Sequence, residues 1–228
     1  MENSELYTVF PVFILVDASA SMAGAPIEAV NTAIPNIKNK MLSNPMVGEI
    51  VRMCVMTFSD IGRTVIPFRD LAGAEIPEIT VEGGTNFAAA FREAKSSITE
   101  GLRSLSKGTP FYRPTVFFMS DGEHTAKEQW GGALSELTDK SWEFAPEIVC
   151  FGLGDAARDT TALRRIATRF AFLVKESDLA AQVGEIMNSL LNIIRTTSTS
   201  VRDSAHDGSR IEAPAEHLVA CRSVEFRS

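Results

Sequence analysis

An aspartate and two serines, Asp17, Ser19 and Ser21, stand at alternate positions directly after the apolar run VFPVFILV (9–16). Two more polar stretches have a comparable setting. EGGTNF (82–87) puts Thr85 just ahead of an amphipathic segment, and MSDGEHT (119–125) puts Asp121 just past a second apolar run, PTVFFMS (114–120). The three stretches offer two carboxylates and three hydroxyls, with glycines that let backbone approach closely. Hard oxygen donors in that number suit Mg²⁺ or Mn²⁺, and Mg²⁺ keeps several waters alongside a few protein oxygens. Each stretch alone also has a plainer reading. Asp17, Ser19 and Ser21 read as a helix-capping cluster, Thr85 as an N-cap, and Asp121-Gly122 as a turn.

The surrounding elements decide whether these residues can meet. VFPVFILV is continuously apolar, as in a strand buried on both faces. Ile27, Val30, Ile34, Ile37 and Met41 then recur at helical spacing. Pro35 falls inside this stripe and is expected to kink or interrupt the helix. EIVRMCVMTFS (49–59) is a second predicted strand, and GRTVIPF (62–68), with Pro67, a short antiparallel edge strand. Phe87, Phe91, Ala94, Ile98 and Leu102 mark a second helix, followed by the strand PTVFFMS, a helical stretch over 126–140 and the strand EIVCFGLG (147–154). Leu163, Ile166 and Ala167 mark a helix, FAFLV (170–174) a last strand, and Leu179, Val183, Ile186, Leu190 and Ile194 a closing helix. This alternation predicts an α/β, Rossmann-like, doubly wound sheet. It should be mostly parallel, with about six strands, one antiparallel edge strand and helices on both faces. Ligands of such sheets bind beyond the carboxyl ends of the strands, where Asp17 falls.

The chain has 228 residues, 45% of them hydrophobic, enough for one sizeable domain and a tail. The domain is expected over 1–194 and a Ser/Thr-rich tail over 195–228. The tail carries TTSTS (196–200) and Ser204, a candidate phosphorylation segment, and Val219, Val224 and Phe226, which would let it dock as an edge strand. A net charge of −7 argues against nucleic acid or an anionic membrane as a general partner. The start, MENSELYTVF, does not read as a signal peptide, and no apolar run approaches the roughly 18 residues of a spanning helix. Cys54, Cys150 and Cys221 form no CxxC pair and are expected as reduced thiols of a cytoplasmic protein, the first two buried in strands. His124 reads as a solvated loop histidine and Asp60 as a hairpin residue. Asp155 is placed to approach the candidate site from a neighbouring loop, and Asp159 to cap a helix.

The ordered set Asp17-x-Ser19-x-Ser21, Thr85 and Asp121 resembles the metal-ion-dependent adhesion site of von Willebrand factor type A domains. FGLGDA (151–156) resembles the fifth-strand ending of that family, and the likeness runs over roughly residues 8–194. The resemblance implies a Mg²⁺ (or Mn²⁺) held directly by Ser19 and Ser21, by Thr85 in an open form, and by Asp17 and Asp121 directly or through water. It also implies a partner that completes the shell with an Asp or Glu, coupled to movement of the last helix. Ala20 stands where the family usually has glycine. More narrowly, PVFILVDASASM and the GGTN loop resemble bacterial tellurium-resistance-associated members of the TerY type. That likeness implies a cytoplasmic stress-response or phage-defence role beside a protein kinase and a phosphatase. The implied function is a non-enzymatic, metal-dependent protein-interaction module. A metal-dependent hydrolase is the competing reading, but the sequence offers no Ser-His-Asp set, P-loop or second metal cluster to serve it. A scaffold with a vestigial site is the third.

Overall fold

The apolar run before Ser19 forms β1 (Phe10–Asp17), buried at all 8 positions in this computed structural model, which describes residues 8–153, 160–173 and 219–220. Val12, Ile14 and Val16 pack into a hydrophobic cluster on one face of the sheet, and Phe13 and Leu15 into a second cluster on the other. Burial on both sides is why the run is apolar throughout instead of alternating. α1 (Ala25–Leu42) covers the first face with the predicted stripe of Ile27, Val30, Ile34, Ile37 and Met41. Pro35 lies inside α1, yet the helix runs unbroken for 18 residues. An interior proline costs about 3 kcal/mol, whereas each of the five buried stripe residues contributes roughly 1.5–3 kcal/mol, so packing outweighs the missing hydrogen bond.

α2 (Pro45–Ile50) takes up the first two positions predicted for the second strand. Its start carries two local signals: the Asn44 side chain accepts from Val47 N–H at 3.4 Å, and Pro45 occupies the first turn, where no amide hydrogen is needed. β2 (Val51–Phe58) then runs parallel to β1, and β3 (Gly62–Asp70) returns antiparallel at the sheet edge, as expected. α3 (Phe87–Arg103) covers the second face with Phe87, Phe91, Ala94, Ile98 and Leu102. β4 (Thr115–Ser120), α4 (Gly131–Leu137), β5 (Glu147–Gly152), α5 (Thr161–Ile166) and β6 (Phe170–Leu173) complete the alternation. α4 is shorter than the predicted 126–140 because residues 121–130 form a loop bonded to the start of α3. β7 (Val219–Ala220) pairs antiparallel with β6. The predicted closing helix, Asp155, Asp159, Cys221 and the tail, except 219–220, lie outside the described residues.

The sheet order is β3-β2-β1-β4-β5-β6-β7. The chain builds outward from β1 through β2 and β3, then crosses back to place β4 on the other side of β1. β1 and β4 therefore flank the switch point, and their carboxyl ends carry Asp17 and Ser120-Asp121 side by side. The connection from β3 to α3 is pinned to α1. Asn31 Nδ2 donates to the Ile79 carbonyl at 2.9 Å and Asn31 Oδ1 accepts from Ile79 N–H at 2.8 Å. Leu71, Ala74 and Ile79 are buried along it. This anchoring delivers the GGTN loop to the same sheet end.

Candidate metal centre

The plainer capping readings fail first. The N-cap of α1 is Gly24, at φ 83°, and Ser19, which precedes a 3-10 turn at Ala20–Met22, makes no side-chain cap. The N-cap of α3 is Asn86, whose side chain accepts from Ala88 N–H at 3.0 Å and Ala89 N–H at 3.2 Å. Thr85 is released from that job. The turn reading of Asp121 holds in part: its Oδ1 accepts from Glu123 N–H at 3.2 Å, and Gly122 takes φ 87°.

Backbone hydrogen bonds tie the three loops to one another. Glu82 N–H donates to Ala18 O at 2.7 Å and Ala20 N–H to Gly83 O at 3.1 Å, joining the first loop to the GGTN loop. Thr125 N–H and Ala126 N–H donate to Thr85 O at 3.0 and 3.2 Å, and Thr85 N–H donates to Thr125 Oγ1 at 2.8 Å. These bonds join the GGTN loop to the 119–125 loop. Ala20 fits in place of glycine because it lies in a right-handed 3-10 turn with its side chain exposed.

Asp17 is 0% exposed, Ser19 1%, Thr85 1% and Asp121 9%. Asp17 Oδ1 accepts from Ser19 N–H at 3.0 Å, and Oδ2 accepts from the Ser120 hydroxyl at 2.6 Å. Burial pushes the Asp17 carboxyl up to about 6; the Ser120 and Ser19 hydrogen bonds oppose that rise, and the negative charge of Asp121 adds to it. Among the described residues, the groups that act on it include no cation. Two neighbouring buried carboxylates facing no described base form an electrostatic deficit that a divalent cation would fill.

The donor set suits Mg²⁺ or Mn²⁺. Ser19 Oγ and Ser21 Oγ lie 3.0 Å apart. In an octahedron with bonds of 2.1 Å, adjacent ligand oxygens are 2.1 × √2, or about 3.0 Å, apart. That spacing is also a hydrogen-bond length, so the chain can hold the two hydroxyls ready without the ion. Asp121 Oδ2 and the Thr85 hydroxyl take part in no hydrogen bond with a described residue. Among the described residues no group of three His, Cys, Asp or Glu side chains could hold a metal. A site here must therefore use the hydroxyls.

Four supporting residues were not singled out as such by the sequence. Ser120, 0% exposed, bridges Asp17 to the Gly122 N–H, which it accepts at 3.0 Å. Asp60 is more than a hairpin residue: its Oδ1 accepts from Gly84 N–H at 3.1 Å, and a Cβ on Gly83, at φ 66°, would collide with its Oδ2. Thr125 has been described above. His124 is not merely solvated. Phe87 N–H donates to its Nδ1 at 3.2 Å, which leaves the ring proton on Nε2 to donate to the Glu128 carbonyl at 2.8 Å.

Residues 12–124 match the family model of the von Willebrand factor type A domain. No curated protein matches the chain. Among solved structures the chain is similar to the vWF domain of the type V pili tip protein Mfa5 of Porphyromonas gingivalis, at 14% identity and TM-score 0.53, over 89% of this chain and 98% of that one. It is similar to the pilus adhesin SpaC of Lactobacillus rhamnosus GG in its open conformation, at 12% identity and TM-score 0.60, over 81% of this chain but only 30% of that one. It is also similar to proximal thread matrix protein 1 from the mussel byssus, at 18% identity and TM-score 0.56, over 79% and 48% of the two chains. At these identities the likeness is one of fold. Sequence match and fold agree: residues 12–124 match the von Willebrand factor type A domain model, and the sheet around them has the fold of vWF-type domains.

Proposed function

We propose that this domain is a metal-dependent protein-interaction module rather than an enzyme. Asp17, Ser19, Ser21, Thr85 and Asp121 would hold one Mg²⁺ or Mn²⁺. The bound ion would supply a hard, positively charged centre for a carboxylate oxygen of a partner's Asp or Glu. The observation that carries the reading is that three loops, tied together by backbone bonds and the Asp17–Ser120 bond, bring buried carboxylates, the Ser19–Ser21 hydroxyl pair and the Thr85 hydroxyl to the switch point of the sheet. Asp17 and Ser120 fix the first loop to β4, and Asp60 and Thr125 fix the GGTN loop around Thr85. Against a hydrolase, both nitrogens of His124 are engaged by backbone groups, so it is not poised as a general base. From the resemblance of the first strand and the GGTN loop, we place the module in a bacterial cytoplasmic stress-response system of the tellurium-resistance or phage-defence kind. A protein kinase or phosphatase of that system would be a partner. No helix among the described residues is long and apolar enough to cross a membrane.

The test is affinity capture from the native host under three conditions: wild-type protein in Mg²⁺, wild-type protein in EDTA, and Thr85→Ala in Mg²⁺. The reading expects a partner retained only in the first, with Thr85→Ala folding normally, since one hydroxyl contributes at most about 1 kcal/mol. Equal capture in all three would move recognition to another face.

A further inference from the structure

At the opposite end of the sheet a cavity of about 320 Å³ opens where β4 and β5 begin. Arg113, Lys140 and Arg169 line it with Glu147, Thr138 and Thr168. Among the described residues three cations thus face one carboxylate. Glu147 Oε2 accepts from Arg169 Nε at 2.9 Å and from the Thr168 hydroxyl at 3.3 Å, while Oε1 lies 3.5 Å from Arg113 Nη1. The Arg169 bond uses Nε alone, and the Arg113 contact is beyond good hydrogen-bond length, so most guanidinium N–H groups are uncommitted among the described residues. Lys140 is exposed and forms no ion pair among the described residues. Among the described residues the wall has a surplus of two positive charges, in a chain of net charge −7. The backbone carrying these side chains is tied down: Glu147 N–H donates to Pro114 O at 2.8 Å, and Thr168 and Arg169 N–H to Ile148 O at 3.0 and 3.2 Å.

We infer that this cavity binds a phosphoryl group presented as a phosphomonoester. The surplus of two charges matches a dianion, whereas a carboxylate would offset half of it. Arginine forks pair with two oxygens of one phosphate, and Lys140 adds a point charge from the rim. The volume leaves room for part of the carrier as well as the phosphate. The phosphomonoester is either a free small molecule or a phosphorylated side chain of a protein. The site owes nothing to the metal centre and works in EDTA.

The experiment is an amide NMR titration of the full chain in EDTA, at constant ionic strength set with chloride. The probes are inorganic phosphate, a short phosphoserine peptide and the same peptide without phosphate. Shifts are expected at Arg113, Lys140, Glu147, Thr168 and Arg169 with both phosphate probes and not with the third. Lys140→Glu should weaken binding by about tenfold or more, and Lys140→Arg should retain it. Tighter binding of the phosphopeptide than of phosphate identifies a phosphorylated protein segment as the source; equal binding identifies a free phosphomonoester. Absence of shifts around the cavity, or equal affinity of wild type and Lys140→Glu, overturns the inference.

Discussion

Replacing Asp17 with asparagine should stabilise the metal-free protein, the reverse of what loss of a well-bonded aspartate usually does. The Asp17 carboxyl is 0% exposed and is raised to about 6 from 3.8, chiefly by burial. A shift of about two units corresponds to about 3 kcal/mol. The sign follows from proton linkage. Below about pH 4 both folded and unfolded chains are protonated and there is no penalty. Between about 4 and 6 the unfolded chain ionises first, so stability falls as pH rises, and above 6 the full penalty persists. The asparagine of the Asp17→Asn protein cannot ionise. Its oxygen can accept from Ser19 N–H as the carboxylate does, and its amide can donate to Ser120 Oγ in place of the present bond. The Ser120 hydroxyl must then find another acceptor, at about 1 kcal/mol. The net gain at pH 7.5 in EDTA is about 2 kcal/mol, or about 4–8 °C in Tm for a chain of this size. Thermal unfolding of both proteins in EDTA from pH 4 to 8 measures it. The difference should grow between pH 4 and 6 and then level off, and added Mg²⁺ should raise the Tm of wild type alone. A less stable Asp17→Asn protein at pH 7.5, or a difference that does not vary with pH, would refute the reasoning.

Gly83→Ala should cost about 1–2 kcal/mol in urea unfolding, from the left-handed φ of 66° together with the collision against Asp60. It should also weaken Mg²⁺ binding in calorimetry. Adding Asp60→Ala should recover part of the loss, which a double-mutant cycle would reveal as a favourable coupling. Asn31→Ala removes both bonds to Ile79 and should lower stability by about 1–3 kcal/mol, read from denaturant midpoints. Cys54 and Cys150 are buried and free; burial raises the Cys54 thiol to about 12 and Cys150 well above the ordinary thiol range. Neither should react with a bulky thiol reagent at pH 8 until the protein unfolds, as followed by absorbance.

The core was legible because periodicity reports burial directly. The stripes Ile27 to Met41 and Phe87 to Leu102 are the faces that cover the sheet, and the unbroken apolarity of β1 announced helices on both sides. The candidate ligands were legible as three polar stretches after strands or before a helix. What supports them was not. Ser120 matters because β4 lies beside β1, a neighbour 103 residues away in the chain, and that adjacency is a property of sheet order. Asp60 and Thr125 clasp the GGTN loop across gaps of 24 and 40 residues. A serine ending a strand or an aspartate in a hairpin carries no local mark of such a role. The start of β2 is a different case: Asn44-Pro45 is a helix-start signal within the sequence, and it, rather than the apolar run beyond it, sets the boundary.

The central claim is that one divalent cation sits among Asp17, Ser19, Ser21, Thr85 and Asp121. Substoichiometric Mn²⁺ added to the ¹⁵N-labelled chain tests it most directly, because paramagnetic broadening falls off steeply with distance. Amide signals of 17–22, 83–86 and 121–122 should disappear first, excess Mg²⁺ should restore them, and Glu147 and Arg169 at the far end of the sheet should stay sharp. Broadening centred on any other part of the chain, or none in these three loops, would contradict the account.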